Sequence, residues 1–290
     1  MKHVKRFNTV SEAMETAANG LPSPHLSYIE STEKVCFATT NSSTLQCGFD
    51  ENGISSSIPE NNTTDEIWYI SYDGSVVTPW TTTGFTQSIV SNTYTNGLGV
   101  IKFNAPLTKI GRFAFLERTN LKLVSLPTAL TSIDEGAFDQ SGIQALKIPE
   151  GPTALTQSMC LGCDELRSVS IPSSVTTAPG HQIFESCDNL RYVEIKEGLT
   201  NLPSRFINGA SHIEKLIIPT SVTTISSISW WYKAFGTMPT DFIYYKGTIA
   251  QWNAIDIDLY NWLQDTTFTI HCSDGDTTVS VFNGIGGWEE

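Results

Sequence analysis

The sequence predicts a β-dominated solenoid, and three observations carry that prediction. A six-residue apolar pattern recurs through residues 98 to 241, as LGVIKF from Leu98, LKLVSL from Leu121, IQALKI from Ile143, LRSVSI from Leu166, LRYVEI from Leu190 and IEKLII from Ile213. Successive copies start about 23, 22, 23, 24 and 23 residues apart, a period in the leucine-rich-repeat range. A second signature follows the pattern: Leu107 and Ile110 with Ala114-Phe115, Leu130 and Ile133 with Ala137-Phe138, Val222 and Ile225 with Ala234-Phe235. One such unit cannot bury its own apolar side, whereas stacked units bury a continuous core behind aligned short strands.

Within each copy the first, fourth and sixth residues are apolar, as in Leu121, Val124 and Leu126. A proline follows four of the copies, at Pro127, Pro149, Pro172 and Pro219, where it ends the strand because it has no N–H to donate. The Ala-Phe pair belongs on the return side, with Phe filling the wide part of the coil.

This LxxVxIP…SVTxIxxxAF…CxxL pattern resembles the BspA-type leucine-rich repeats of gut and oral bacteria and their phages. Some copies depart from it: Gln157-Ser158-Met159 replaces the aromatic step, Lys196 stands where Pro is expected, and the last copy carries an insertion. The resemblance implies a leucine-rich-repeat solenoid with short helical or irregular return segments. It also implies a parallel sheet of about six rungs between β-rich caps, and a binding scaffold of unspecified ligand.

From the N-terminus, residues 1–64 read as an arm and hairpin module with a polar linker. Thr9 and Glu12 suit a capping box, and Gly20 can stop the short helix it would start. HLSYIE at 25–30 and KVCFATT at 34–40 read as paired strands. The stretch PHLSYIEST…KV resembles, over this short span, a segment of Bacteroides-phage structural proteins. Residues 41–64 are rich in Asn, Ser, Thr, Gly and Glu and read as loop; the sequons at Asn41, Asn61 and Asn62 read as part of it.

Residues 65–97 are expected to form the N-terminal β cap, with Asp73-Gly74 as a two-residue hairpin turn. A cap is needed because an end rung otherwise exposes apolar core and an unpaired edge. Residues 98–241 are the repeats. The last copy is longer: about 29 residues separate Ile213 from Phe242, and the excess contains Trp230, Trp231 and Tyr232. Residues 242–290 look like the family's C-terminal cap, with Ser273-Asp274-Gly275 as a turn and Val279, Val281 and Phe282 in the returning strand.

The 290 residues carry a formal charge of −13, with 40% hydrophobic content. That is enough to pack a core, and the acidic balance argues against general nucleic-acid binding. No apolar run approaches the roughly 18 residues of a membrane span. The start, MKHVKRFNTVSEAMETAANG, turns polar where a secretion signal needs an apolar stretch. A standard export signal is therefore not expected, which suits a phage particle component released by lysis.

Six cysteines lie at 36, 47, 160, 163, 187 and 272. Cys160 and Cys163 form a CxxC, but Cys163 and Cys187 stand three residues before a repeat start, where Ala210 stands in the next copy. A buried small-residue column explains this spacing, and no second CxxC or His pair completes a zinc set. Cys36 and Cys47 can pair only if their geometry allows it. His271, Cys272, Asp274 and Asp276 are explained by a turn and a strand. There is no GxSxG, HExxH, P-loop or GxGxxG. The five histidines are scattered, with His181 and His212 on repeat loops. No catalytic residues, metal or cofactor are expected.

Two features go beyond the repeat pattern. The six hexapeptides hold Lys102, Lys122, Lys147, Arg167, Arg191 and Lys215, six of the 17 basic residues, but only Glu194 and Glu214 of the 30 acidic ones. All six stand at second, third or fifth positions, which alternate away from the core. A basic stripe on the sheet face is thus expected. It either covers the sheet with long solvated stems or attracts an anionic partner. Trp230, Trp231 and Tyr232 either stack on a ligand or pack the last repeat against its cap.

These readings together predict a non-enzymatic recognition protein on a phage particle, as fibre, decoration or receptor-binding component. Its partners would be a host-surface glycan or protein, or other virion proteins, with residues 1–64 available for oligomerisation. The alternatives are a bacterial cell-surface adhesin and an intracellular protein–protein interaction scaffold.

Overall fold

The computed structural model describes residues 61–226, 240–257 and 266–281, residue 58, and four strands between residues 5 and 50. The chain divides into two units, Met1–Glu60 and Asn61–Glu290. The first holds one sheet, ordered β1 (Lys5–Phe7), β2 (His25–Ile29), β3 (Lys34–Ala38) and β4 (Gln46–Asp50). β2 and β3 form the expected antiparallel hairpin. β4 corrects the reading of 41–64 as loop: it pairs antiparallel with β3, Val35 opposite Phe49 and Cys36 opposite Cys47. The register skips Gly48, so a glycine bulge lets a Gly-containing segment join a sheet. The helix expected near Thr9 and Glu12 lies outside the described residues.

In the second unit the strands are β5 (Glu66–Ser71), β6 (Ile89–Thr95), β7 (Leu98–Phe103), β8 (Lys109–Ile110), β9 (Leu121–Ser125), β10 (Ser132–Ile133), β11 (Ala145–Lys147) and β12 (Ser168–Ile171). They continue as β13 (Tyr192–Ile195), β14 (Asn201–Leu202), β15 (Lys215–Ile218), β16 (Thr224–Ile225), β17 (Ile243–Tyr245), β18 (Asp256–Ile257), β19 (Thr266–Cys272) and β20 (Gly275–Val281). The order β11-β12-β13-β15-β17-β19 is parallel throughout, and β20 closes it antiparallel to β19 at the expected turn. Gln144 N donates to Lys122 O at 2.8 Å, which carries the stack on from β9 to β11. The return side has its own parallel pairs, β8 with β10, β14 with β16, and β16 with β18. This is a β-solenoid of about six turns, the predicted fold class.

Its core follows the repeat register. Leu121, Val124, Leu166, Val169, Leu190 and Val193 are buried from the strand side. Ala114-Phe115, Ala137-Phe138, Met159-Cys160, Ile183-Phe184 and Phe206-Ile207 are buried from the return side. The Phe115 and Phe138 rings stack at 5.4 Å. Backbone bonds tie these steps from rung to rung: Phe115 N to Ala137 O at 2.8 Å, Phe138 N to Met159 O at 2.9 Å, Cys160 N to Ile183 O at 2.9 Å. Met159-Cys160 thus takes the aromatic step's place without breaking the ladder.

A clamp not foreseen from the sequence joins successive rungs. Glu150 accepts from Ser173 N at 3.3 Å, Ser173 Oγ at 3.1 Å and Ser174 N at 2.9 Å. Glu197 repeats this with Thr220 N, Thr220 Oγ1 and Ser221 N, at 3.1, 3.1 and 2.9 Å. Behind each Glu stands a glycine with positive φ, Gly151 or Gly198, whose N–H donates to the Ser174 or Ser221 hydroxyl at 3.0 Å. A Cβ at Gly151 would lie 2.0 Å from Leu130 O, so glycine is required there. The sequence form is Glu-Gly followed one rung later by Pro-Ser-Ser or Pro-Thr-Ser.

The caps differ from expectation in one respect. β5 does not sit beyond the first repeat strand but lies between β7 and β9, antiparallel to both. The outer edge at this end is β6, paired with β7. The hairpin expected at Asp73-Gly74 is absent. Asp73 Oδ1 accepts from Ser75 N and Oγ at 3.0 and 2.7 Å, and Tyr69 OH accepts from Val77 N at 3.2 Å. The chain is thereby turned out of the sheet, and Tyr72 N and Trp80 N donate instead to Asn120 O and Ala114 O at 2.9 and 2.8 Å. Residues 72–80 are therefore a strap across neighbouring rungs. At the other end α1 (Ile249–Trp252) starts at Thr248, whose side chain forms a capping box with Gln251.

Candidate binding surface

The strand register resolves the six basic residues into separate positions. Backbone bonds run from Gln144 N to Lys122 O, Arg167 N to Gln144 O, Arg191 N to Arg167 O and Glu214 N to Arg191 O. Lys122, Gln144, Arg167, Arg191 and Glu214 therefore form one column, a strand spacing apart at each step; Lys122 lies in β9 and the other four each stand one residue before their strand. Lys215 stands in the next column, opposite Tyr192, and Lys147 in the one beyond, opposite Ser170. Lys102 does not join them. It lies on β7, beyond the intervening β5, and its Nζ meets Glu66 Oε1 at 2.8 Å and Asp65 Oδ2 at 3.6 Å.

Several of these cations have partners. Arg191 pairs with Glu214, and Arg167 Nη2 lies 3.8 Å from Glu165. Lys122 and Lys215 lie over the Tyr72 and Tyr244 rings, at 5.7 and 4.7 Å from the centroids. The Arg167 and Arg191 side chains are about half exposed, at 44% and 52%. Exposed pairs of this kind contribute only about 0.2 to 1 kcal/mol, so they are readily exchanged for another partner.

The rest of the sheet's outer face is not the open surface expected of it. Leu123, Ala145, Ser168, Ser170 and Tyr192 alternate with core residues yet are buried. Ala145, Ser168 and Ser170 are short and recessed among longer neighbours. Among the described residues Ser168 Oγ has no hydrogen-bond partner. Trp230, Trp231 and Tyr232 lie outside the described residues.

The cysteine column is confirmed in place and given a role. Cys163 and Cys187 are fully buried and in line with Ala210. Cys163 Sγ donates to Phe138 O at 2.9 Å and Cys187 Sγ to Cys160 O at 3.0 Å, so each thiol satisfies a carbonyl of the preceding rung. Burial pushes the Cys160 and Cys187 thiols well above their usual range, which disfavours the thiolate that nucleophilic or metal chemistry needs.

Two polar clusters escaped the sequence reading. Glu185, buried on the return side, accepts from Asn208 Nδ2 at 2.9 Å and pairs with Arg205 through Oε1, while Oε2 has no partner among the described residues. His271 is held between Asp241 Oδ1 at 2.7 Å and Asp276 Oδ1 at 3.0 Å, with its ring 4.5 Å from Tyr244. Burial opposes the imidazolium, but Asp276 and Asp241 outweigh it and raise the His271 pKa. Asp274 accepts from Ile249 N at 2.8 Å, at the start of α1. Among the described residues no group of three or more His, Cys, Asp or Glu is arranged to hold a metal. No helix among them is long and apolar enough to cross a membrane. His181 and His212 are exposed on repeat loops, as expected.

Residues 87–181 and 161–235 match the model of the BspA type leucine-rich repeat region, in six copies. No curated protein matches the chain. A leucine-rich cell surface protein from Faecalibacterium prausnitzii A2-165 is similar at 20% identity and a TM-score of 0.30, over 52% of this chain and 61% of that one. A leucine-rich repeat protein from Bacteroides ovatus ATCC 8483 is similar at 24% identity and a TM-score of 0.35, over 53% of this chain and 44% of that one. The chain thus spans less than two thirds of either neighbour. The family match runs over half of the 290 residues, and the chain belongs to the BspA type leucine-rich repeat family.

Proposed function

We propose that this chain is a non-enzymatic recognition protein whose solenoid presents the Lys122–Gln144–Arg167–Arg191 column to an anionic partner. One observation carries the reading: three cations from separate rungs are brought into a single line along the leading ends of the sheet's strands. Such a line offers an extended acidic polymer, or an acidic protein patch, repeated contacts at the strand spacing. Lys147 and Lys215 flank it. Lys102, paired beyond β5, is left out of the surface.

The test reverses Lys122, Lys147, Arg167 and Arg191 to Glu and measures attachment to host cells and to immobilised acidic glycans. Loss of attachment with an unchanged thermal melt is the expected result. Unchanged attachment by a folded variant contradicts it.

The finer assignment, a fibre, decoration or receptor-binding component of a phage particle, takes support from the stretch Pro24 to Val35. A bacterial cell-surface adhesin is the alternative, and an intracellular scaffold the third reading. Mass spectrometry of purified particles and of cell-envelope fractions separates them. Recovery from the envelope and not from particles removes the phage assignment while leaving the recognition surface intact.

A further inference from the structure

The strap formed by residues 72–80 carries three of the four large hydrophobic side chains that are exposed among the described residues: Tyr72 at 44%, Val76 at 42% and Trp80 at 54%. Large apolar groups that cluster in the open mark an interaction surface more often than a scattered one does. These are also held in place. Tyr72 OH donates to Gly142 O at 3.1 Å. The Arg118 guanidinium lies 5.1 Å from the centre of a Trp80 ring and donates to Leu116 O at 3.0 Å and Thr78 O at 3.4 Å. Lys122 lies over Tyr72. Each aromatic ring is thus oriented by a cation and by backbone anchors, yet keeps about half its surface in water.

We propose that this strap is a carbohydrate-stacking surface for a neutral glycan chain, a second site beyond the basic column. Three features favour that occupant. Two pre-oriented aromatic faces suit the flat apolar sides of pyranose rings, which stack without any charge on the ligand. The polar groups around them supply both donors and acceptors, as neighbouring sugar hydroxyls require: Ser75 and Asn120 are hydrogen-bonded to each other at 3.4 Å, and Thr81 and Thr83 follow on the same segment. Charge at the Trp80 end is balanced, with Arg118 set against the exposed Glu117, while Lys122 at the Tyr72 end belongs to the basic column. The strap meets the column at Lys122 and Tyr72, so Trp80→Ala, at the other end, is the variant that tests the strap by itself.

The experiment titrates the full chain with a panel of neutral oligosaccharides (cello-, xylo-, manno- and malto-hexaose) and with polygalacturonate, by calorimetry. Binding of at least one neutral member is expected, weakened about tenfold or more by Trp80→Ala and by Tyr72→Ala. Val76→Arg, which obstructs the surface without removing an aromatic, provides a variant that keeps the packing. Arg191→Glu, three rungs beyond Lys122, is expected to leave neutral-glycan binding unchanged. The proposal is overturned if no neutral member binds, or if binding survives both Trp80→Ala and Val76→Arg in folded protein.

Discussion

At the scale of single residues, this fold is decided by which small or polar side chain occupies each column. Cys163 and Cys187 fit because a thiol is small enough for a column that also takes Ala210, and can still donate to a carbonyl of the preceding rung. Native-state alkylation followed by mass spectrometry is expected to leave Cys160, Cys163 and Cys187 unmodified while the half-buried Cys272 reacts. Labelling of the three at the rate of Cys272 contradicts the buried column. Ser168 gives the converse case. Its hydroxyl is buried without a partner beside Ala145, which holds the equivalent place one rung earlier. Ser168→Ala removes an unsatisfied group and is expected to leave stability unchanged or raise it by up to about 1 kcal/mol. A loss of more than about 1 kcal/mol in chemical denaturation shows instead that the hydroxyl has a role.

At the scale of elements, the rungs are held by two kinds of contact, and the sequence displays them unequally. The apolar strand positions, the Ala-Phe step and the cysteine column were legible, because each depends on a residue type recurring at a fixed offset. The Glu150 and Glu197 clamps were not, since each joins a Glu to hydroxyl residues about 23 positions later and, among the described residues, occurs in two rungs. The strap was misread for a related reason. Asp73-Gly74 is a strong local hairpin signal, but Asn120 O and Ala114 O, on a distant part of the chain, capture the backbone that a hairpin would have used. β5 between β7 and β9 is likewise a long-range pairing that the local pattern EIWYIS does not encode.

The clamps give this scale its own prediction. Burial opposes ionisation of Glu150 and Glu197, but the N–H and hydroxyl donors of the next rung outweigh it and lower both pKa values. A carboxylate whose pKa is lower in the folded state stabilises above its unfolded pKa of about 4.5, and that contribution is lost as pH falls through the folded value. Both side chains are exposed, so Glu150→Ala and Glu197→Ala are each expected to cost about 1 kcal/mol at neutral pH. The difference from wild type should shrink below pH 4.5 in thermal melts. A cost that persists undiminished in acid contradicts the charge-assisted clamp.

At the scale of the whole molecule, the solenoid converts a one-dimensional repeat into a surface that no single segment contains. Lys122, Arg167 and Arg191 are spread over 70 residues of sequence, yet the parallel register sets them in one column. The sequence reading found the excess of cations in the repeat strands but drew all six into one stripe. It lacked the register, which separates Lys147 and Lys215 into neighbouring columns and excludes Lys102 behind β5. Tyr72 and Trp80 were passed over altogether, because their place in the open depends on the strap leaving the sheet. Function on this account lies where rungs and strap meet solvent and not at any cysteine or histidine.

The most direct test of that account is the structure of the native assembly by electron cryo-microscopy, with the chain bound to its partner. The account requires density against the column of Lys122, Gln144, Arg167 and Arg191. A partner seated elsewhere on the solenoid, with that column left in solvent, contradicts it.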